Sequence, residues 1–180
     1  GQSPERAPSP LLLAASTHPG EEDIVLAAAK SWKESGRAFR LAIAPRHPER
    51  AADVRRRIES FGFTTRLWSA ARTIAGWNGG EPEVLLIDTI GDLGTFFPLS
   101  EVVFVGGSLV AAGGHNIFEP AAFGRPILFG PHMENFREAE RALFGRGAVR
   151  VAQADAFQRE AESLLFDHAR AEREGQTARE

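Results

Sequence analysis

The feature that most constrains this 180-residue chain is an alternation. Short runs of aliphatic and β-branched residues are each closed by turn-forming or polar residues and mostly followed by stretches with helical spacing. The runs are "LLLAAS", "FRLAIAP", "TTRLWS", "EVLLIDT", "VVFVGG", "PILFG" and "AVRVA". The fifth is continuously β-branched or aromatic, which is the pattern of a strand buried on both faces. The third is weaker, and the seventh reads as a short edge strand. Between them, "GEEDIVLAAAKSWKESG" places Ile24, Val25, Ala28 and Trp32 at helical spacing. "HPERAADVRRRIESFG" offers Pro48 for a first helical turn and Gly62 for a stop. Further helical patterns cover 91–99, 117–123, 135–144 and 155–168. Strands and helices alternating at these lengths predict an α/β domain, a Rossmann-like doubly wound parallel sheet with helices on both faces.

The ends differ from this body. "GQSPERAPSP" is rich in Pro and Ser without periodicity and reads as a linker over 1–10, whereas 169–180 is polar and charged and reads as a tail. The folded domain is expected over 11–168, and the opening Gly1 in place of Met suggests a segment of a longer protein. A net charge of −3 supplies no global field for DNA or RNA, so nucleic acid is not an expected partner. The absence of cysteine removes disulfides, thiolate chemistry and cysteine zinc sites, and fits a reducing compartment. No apolar run approaches the roughly 20 residues that span a bilayer, which makes this segment soluble by expectation.

In a doubly wound sheet ligands bind beyond the carboxyl ends of the strands, near a switch in strand order. The segments there are "STHPGEE", "PRHPER", "DTIGDLG", "GGSLVAAGGHN" and "GPHMEN". Glycines and polar side chains collect at one rim, as a dinucleotide or a nucleotide-activated sugar would require. The dinucleotide reading lacks G-x-G-x-x-G after Ser16 and an acidic residue ending the second strand; a Walker lysine motif is also absent. The five histidines lie in separate segments without H-x-x-H or H-E-x-x-H spacing, so no metal site is expected. Arg55, Arg56 and Arg57 read as a solvated helix face.

Taken together, "ASTHPGEE", "APRHPER", "DTIGDLG", "FVGGSL" and "GGHNIFEPAAFGRPILFGPHMENFRE" resemble the C-terminal half of the bacterial Kdo transferases, glycosyltransferases with the GT-B fold. The likeness runs from about residue 11 to about 166. It implies an inverting transferase that moves 3-deoxy-D-manno-octulosonic acid (Kdo) from CMP-Kdo to a lipid A precursor in lipopolysaccharide biosynthesis, without a cofactor or an obligatory metal. It also implies a division of labour. The C-terminal half binds the donor nucleotide; an N-terminal half, outside this sequence, binds the acceptor, carries the catalytic base and meets the cytoplasmic face of the inner membrane. No catalytic residue is then expected here, and the segment alone should be inactive. Two alternatives remain open: a nucleotide-sugar epimerase domain, and a free-standing nucleotide- or anion-binding module.

The donor-binding candidates carry structural readings beside their functional ones. Gly113, Gly114, His115 and Asn116 precede the 117–123 helix, where free N–H groups suit an anion and Asn116 can cap the helix or bind ligand. Glu119, one turn on, can accept from ribose hydroxyls or complement the helix dipole. Arg46 offers a guanidinium fork to phosphate or carboxylate, and His47 either donates to phosphate or holds the turn before Pro48. Ser16 and Thr17 line the cleft or cap the following helix. Gly107 and Ser108 line it from the fifth strand. Asp88, Thr89 and Gly91 fix a loop against the base, while His132 and Asn135 contact the sugar or brace the Gly114 loop.

Overall fold

A computed structural model describes residues 7–180; residues 1–6 of the expected linker lie outside the described residues. All seven apolar runs are strands: β1 (Leu11–Thr17), β2 (Arg40–Pro45), β3 (Thr64–Leu67), β4 (Glu83–Leu86), β5 (Val102–Val105), β6 (Ile127–Phe129) and β7 (Ala148–Arg150). They form one parallel sheet in the order β3-β4-β2-β1-β5-β6-β7. The helices are α1 (Glu21–Glu34), α2 (Ala51–Ser60), α3 (Trp68–Ala71), α4 (Leu93–Phe96), α5 (Phe118–Ala122), α6 (Arg137–Leu143), α7 (Ala154–Leu165) and α8 (His168–Arg179).

Side chains of period two divide the core. Leu12, Ala14, Leu41, Ile43, Val84, Leu86, Val102, Phe104 and Leu128 pack on one face with Val25, Leu26 and Trp32 of α1, Val54 and Ile58 of α2, and Phe157, Ala161 and Leu164 of α7. Their alternates Leu11, Leu13, Ala42, Leu85, Val103, Val105, Ile127 and Phe129 point to the opposite face and meet Phe96, Phe97, Ile117, Ala121, Met133, Ala139, Leu143 and Ala178. Both faces are therefore covered, which explains the near-continuous apolar character of β1, β2 and β5.

Two expectations change. The 169–180 segment is not a free polar tail: α8 occupies it and buries Ala171, Gly175 and Ala178. These small residues fall on one helical face, and a Cβ at Gly175 would come within 2.0 Å of the Gly124 carbonyl oxygen. Contact is made by backbone approach in place of large side chains, so the polar composition hid it. The 117–123 helix is also shorter than expected, since α5 has five residues and Pro120 supplies no N–H. Its dipole is correspondingly small, and the N–H groups of Gly114 and Phe118 are taken by the Gly107 carbonyl and the Asn116 side chain, so this helix start offers an anion less than the sequence suggests.

The strand order reverses at β1, which has β2 on one side and β5 on the other. The loops leaving β1 and β5 part at this switch, and the site is built between them.

Candidate functional site

At the end of β1 the register with β2 slips between Ala15 and Thr17. Ser16 takes a left-handed conformation there, with φ 57°, which is uncommon outside glycine. Behind it Gly106 packs so closely that a Cβ would stand 2.4 Å from the Ser16 carbonyl oxygen. The two loops thus touch through their backbones as they leave the sheet.

Two adjacent acids at the start of α1 are buried beneath this contact. The Glu21 carboxylate, 0% exposed, accepts from the backbone N–H of His18 (2.9 Å), Gly107 (2.8 Å), Ser108 (3.1 Å) and Leu109 (3.0 Å). Glu22 accepts from the Thr17 hydroxyl at 3.1 Å and pairs with Arg50 at 2.8 Å. From the sequence Glu21, like Ser16 and Thr17, reads equally as a helix-capping residue or as one that lines the cleft. The partners that give it a larger role lie 86 to 88 positions away, so only the doubled acid after a strand-ending turn signals it.

Above this layer stands an imidazole cluster. Nε2 of His18 and Nε2 of His115 are 2.8 Å apart with ring planes inclined by 11°, so one ring donates and the other accepts. The His47 ring meets His18 edge-on at a centroid distance of 5.8 Å. Burial is the main cause that pushes His115 down to about 4, reinforced by the charges of His18, Arg46 and His47. Burial also lowers His18, against the attraction of Glu21. The pair is therefore neutral near pH 7 and can offer hydrogen bonds without carrying fixed charge. Arg46 is exposed beside it and forms no ion pair among the described residues, whereas His47 lies 3.8 Å from Glu49.

The structure brings together His18, Arg46, His47, Gly107 and His115. Gly114 is tied to them through its N–H, which donates to the Gly107 carbonyl at 2.8 Å. Gly113 lies under Asn135, whose amide would meet a Cβ there at 2.2 Å; the Asn135 N–H also donates to the Gly113 carbonyl. Asn135 thus braces the loop, one of the two roles expected for it. The Asn116 side chain accepts from the Phe118 N–H at 2.9 Å and closes the turn into α5. Glu119 is exposed on α5 and free of ion pairs among the described residues.

Other candidates face inward. Ser108 is fully buried: its hydroxyl donates to the Val105 carbonyl and accepts from the Gly130 N–H, so it supports the rim from below and does not line it. Thr17 is buried too, with its hydroxyl committed to Glu22. The N–H of Gly107 points to Glu21, which leaves that residue's bare Cα face, not its donor, toward the histidines. Asp88 accepts from the Ser69 N–H and hydroxyl, and Thr89 donates to Asp92, which also receives Trp68 and Arg72. These bonds order the β4 loop, where Gly91 has φ 88° with open space around it. His132 pairs with Glu134 at 3.5 Å while its N–H donates to the Ser108 carbonyl. The basic run on α2 is satisfied locally: Arg55 pairs with Glu59, Arg56 with Asp53 and Arg57 with Asp23. Among the described residues no helix is long and apolar enough to cross a membrane.

No family model matches the chain. Individual relatives do. The chain is 38% identical to the 3-deoxy-D-manno-octulosonic acid transferase of Haemophilus influenzae over 171 residues, which is 92% of this chain and 38% of the relative. It is 32% identical to the enzyme of the same name from Aquifex aeolicus, over 76% of this chain and 36% of the relative. The chain belongs to the Kdo transferase family. It spans less than two fifths of the length of those two relatives. Among solved structures, the C-terminal CMP-Kdo binding domain of WaaA from Acinetobacter baumannii superimposes with a TM-score of 0.85 at 29% identity, covering 94% of this chain and 87% of that one. An O-GlcNAc transferase from Thermobaculum terrenum matches with a TM-score of 0.62 at 16% identity, over 99% of this chain and 32% of that one. That second likeness is one of fold alone and places the Kdo transferase segment within the GT-B architecture. The epimerase alternative finds no support, because the relatives that define the family are transferases.

Proposed function

We propose that this segment binds the donor CMP-Kdo for a Kdo transferase, which passes Kdo to a lipid A precursor with inversion. The likeness to a CMP-Kdo binding domain over almost the whole chain carries this reading. The rim chemistry supports it. Arg46 supplies a permanent cation with no competing carboxylate among the described residues, His18 and His115 add donors that burial keeps neutral, and the His47 ring stands edge-on beside them. Such a set suits a phosphate diester beside a sugar carboxylate. Glu119, exposed on the adjoining turn, is the candidate for the ribose hydroxyls, and exposure of Asn116 beside it supports a ligand contact there.

In this reading the acceptor, the catalytic base and contact with the inner membrane belong to another part of the protein. The domain is bounded by residues 11–168 together with α8. Calorimetric titration separates the readings. CMP should bind the 180-residue chain in preference to UDP, and the chain alone should not transfer Kdo. A preference for UDP, or no binding of either nucleotide, would refute the donor assignment; turnover by the isolated chain would refute the division of labour.

A further inference from the structure

Glu21 has more bonds than helix capping requires. The start of α1 has a left-handed glycine at its N-cap and no side-chain cap bond, and the Glu21 N–H is already satisfied by the His18 carbonyl. The carboxylate instead reaches across the switch in strand order. One oxygen takes the N–H groups of His18 and Gly107, and the other takes those of Ser108 and Leu109. All four bonds lie between 2.8 and 3.1 Å, which fills the accepting capacity of a carboxylate.

The consequence spreads through the loops fixed by these bonds. With its N–H held inward, Gly107 turns its Cα face to the imidazoles, where a Cβ would stand 2.9 Å from the His115 ring and 3.3 Å from that of His18. Its carbonyl faces the other way and receives the Gly114 N–H, one residue from His115. The Ser108 carbonyl receives the His132 N–H in the same layer. One carboxylate thus sets the backbone of the β1 loop, the β5 loop and, through Gly107, the glycine loop that carries His115. A buried acid with four donors is also a directional device, because removing it leaves three consecutive N–H groups of the β5 loop without their acceptor.

We propose that Glu21 is a positioning residue for donor binding, which holds the His18–His115 pair and the Gly113–Asn116 loop in their binding arrangement. It touches no ligand in this role and acts through Gly107. The inference rests on the donor-binding reading for its functional half only; the positioning of the imidazoles is independent of it.

The test compares Glu21→Gln with Glu21→Asp in the 180-residue chain. Glutamine keeps the shape but turns an NH2 group toward two of the N–H donors; aspartate is shorter but keeps an acceptor on both branches. A role in filling volume favours glutamine, and a role in accepting N–H bonds favours aspartate. Three readouts are taken at a temperature where circular dichroism shows each variant folded: amide exchange at Gly107, Ser108, Leu109 and Gly114, the ring 15N signals of His18 and His115, and CMP affinity. Glu21→Gln should speed exchange at those amides at least tenfold, alter both ring signals and weaken CMP at least tenfold. Glu21→Asp should recover part of all three. Unchanged ring signals and amide protection in Glu21→Gln would overturn the positioning role, as would altered signals with CMP affinity equal to that of the unsubstituted chain. Should Glu21→Gln not fold, the aspartate variant carries the same comparison against the unsubstituted chain. If the unsubstituted chain binds no CMP, the donor reading falls, and the ring and amide signals still decide what Glu21 does.

Discussion

Acidification should destabilise the chain through His115. In the fold this imidazole is held neutral down to about pH 4, against 6.5 in an unfolded chain, because burial and the neighbouring cationic groups oppose its charge. A group whose basic form the fold prefers contributes its full stability above pH 6.5. That stability is lost as the unfolded state takes up a proton that the folded state refuses, until the folded ring also titrates. The gap between 6.5 and about 4 converts to about 3.4 kcal/mol at about 1.4 kcal/mol per pKa unit. The ring is only partly buried, and solvent screening reduces the expected effect to about 1.5–2 kcal/mol. Most of it should appear between pH 6.5 and 4.5, before many exposed carboxylates titrate. Urea unfolding across this range measures it, with His115→Gln as the control: glutamine can still bond to His18 but does not titrate. The stability of the unsubstituted chain should fall more steeply with acid than that of the variant. Equal slopes, or a His115 ring that titrates near 6.5 by NMR, would refute the reasoning.

Three substitutions at the rim have separable outcomes. Arg46→Ala removes a cation that stands beside the imidazoles without an ion pair among the described residues, and should weaken CMP by about one to two orders of magnitude, equivalent to roughly 1.5–3 kcal/mol for a charge-assisted bond, with little change in melting temperature. Glu119→Gln should weaken CMP over a similar range through the proposed ribose contact, again with the fold intact; unchanged titrations would remove either residue from the proposed site. Gly114→Val acts differently, because Gly114 has φ 77° and a Cβ would meet the Met133 sulfur at 2.5 Å and the His132 carbonyl oxygen at 2.9 Å. It should cost roughly 2–4 kcal/mol and lower the melting temperature by roughly 5–15 °C, so this variant reports on folding before it reports on binding. A melting curve matching the unsubstituted chain would show that the loop has another conformation open to it.

Much of this architecture was legible in residue pattern. Six of the seven strands fall within the apolar runs and β1 ends one residue past its own; β1, β2 and β5 are legible because parallel strands buried on both faces leave little room for polar residues, whereas the less buried β3 and β7 give the weaker runs "TTRLWS" and "AVRVA". What periodicity cannot carry is direction. Gly107, Ser108 and Thr17 were expected at the rim, and they lie there in sequence, but their polar groups turn inward to Glu21, Val105, Gly130 and Glu22. The choice between cleft and interior depends on partners far along the chain. Glu21 was undervalued for the same reason, and α8 was missed because its contact face consists of alanine and glycine. Arg46, His47 and His115 do lie together at one rim, as their places at strand ends suggested.

Building the site across the switch in strand order also has a consequence for how the molecule comes into being. His18 and His115 meet although 97 positions separate them, and β1 gains its second neighbour only when β5 is available. During synthesis the first half of the chain can pair β1 with β2, but the other edge of β1 then stays open with its N–H and carbonyl groups unpaired. Closing a loop of that length precedes any reward from the contacts it makes, so the rim is a late product of folding. A ribosome-bound chain stopped before Val102 should lack the imidazole contact and present a sticky central strand, which makes the His18–His115 signal a marker of completed folding.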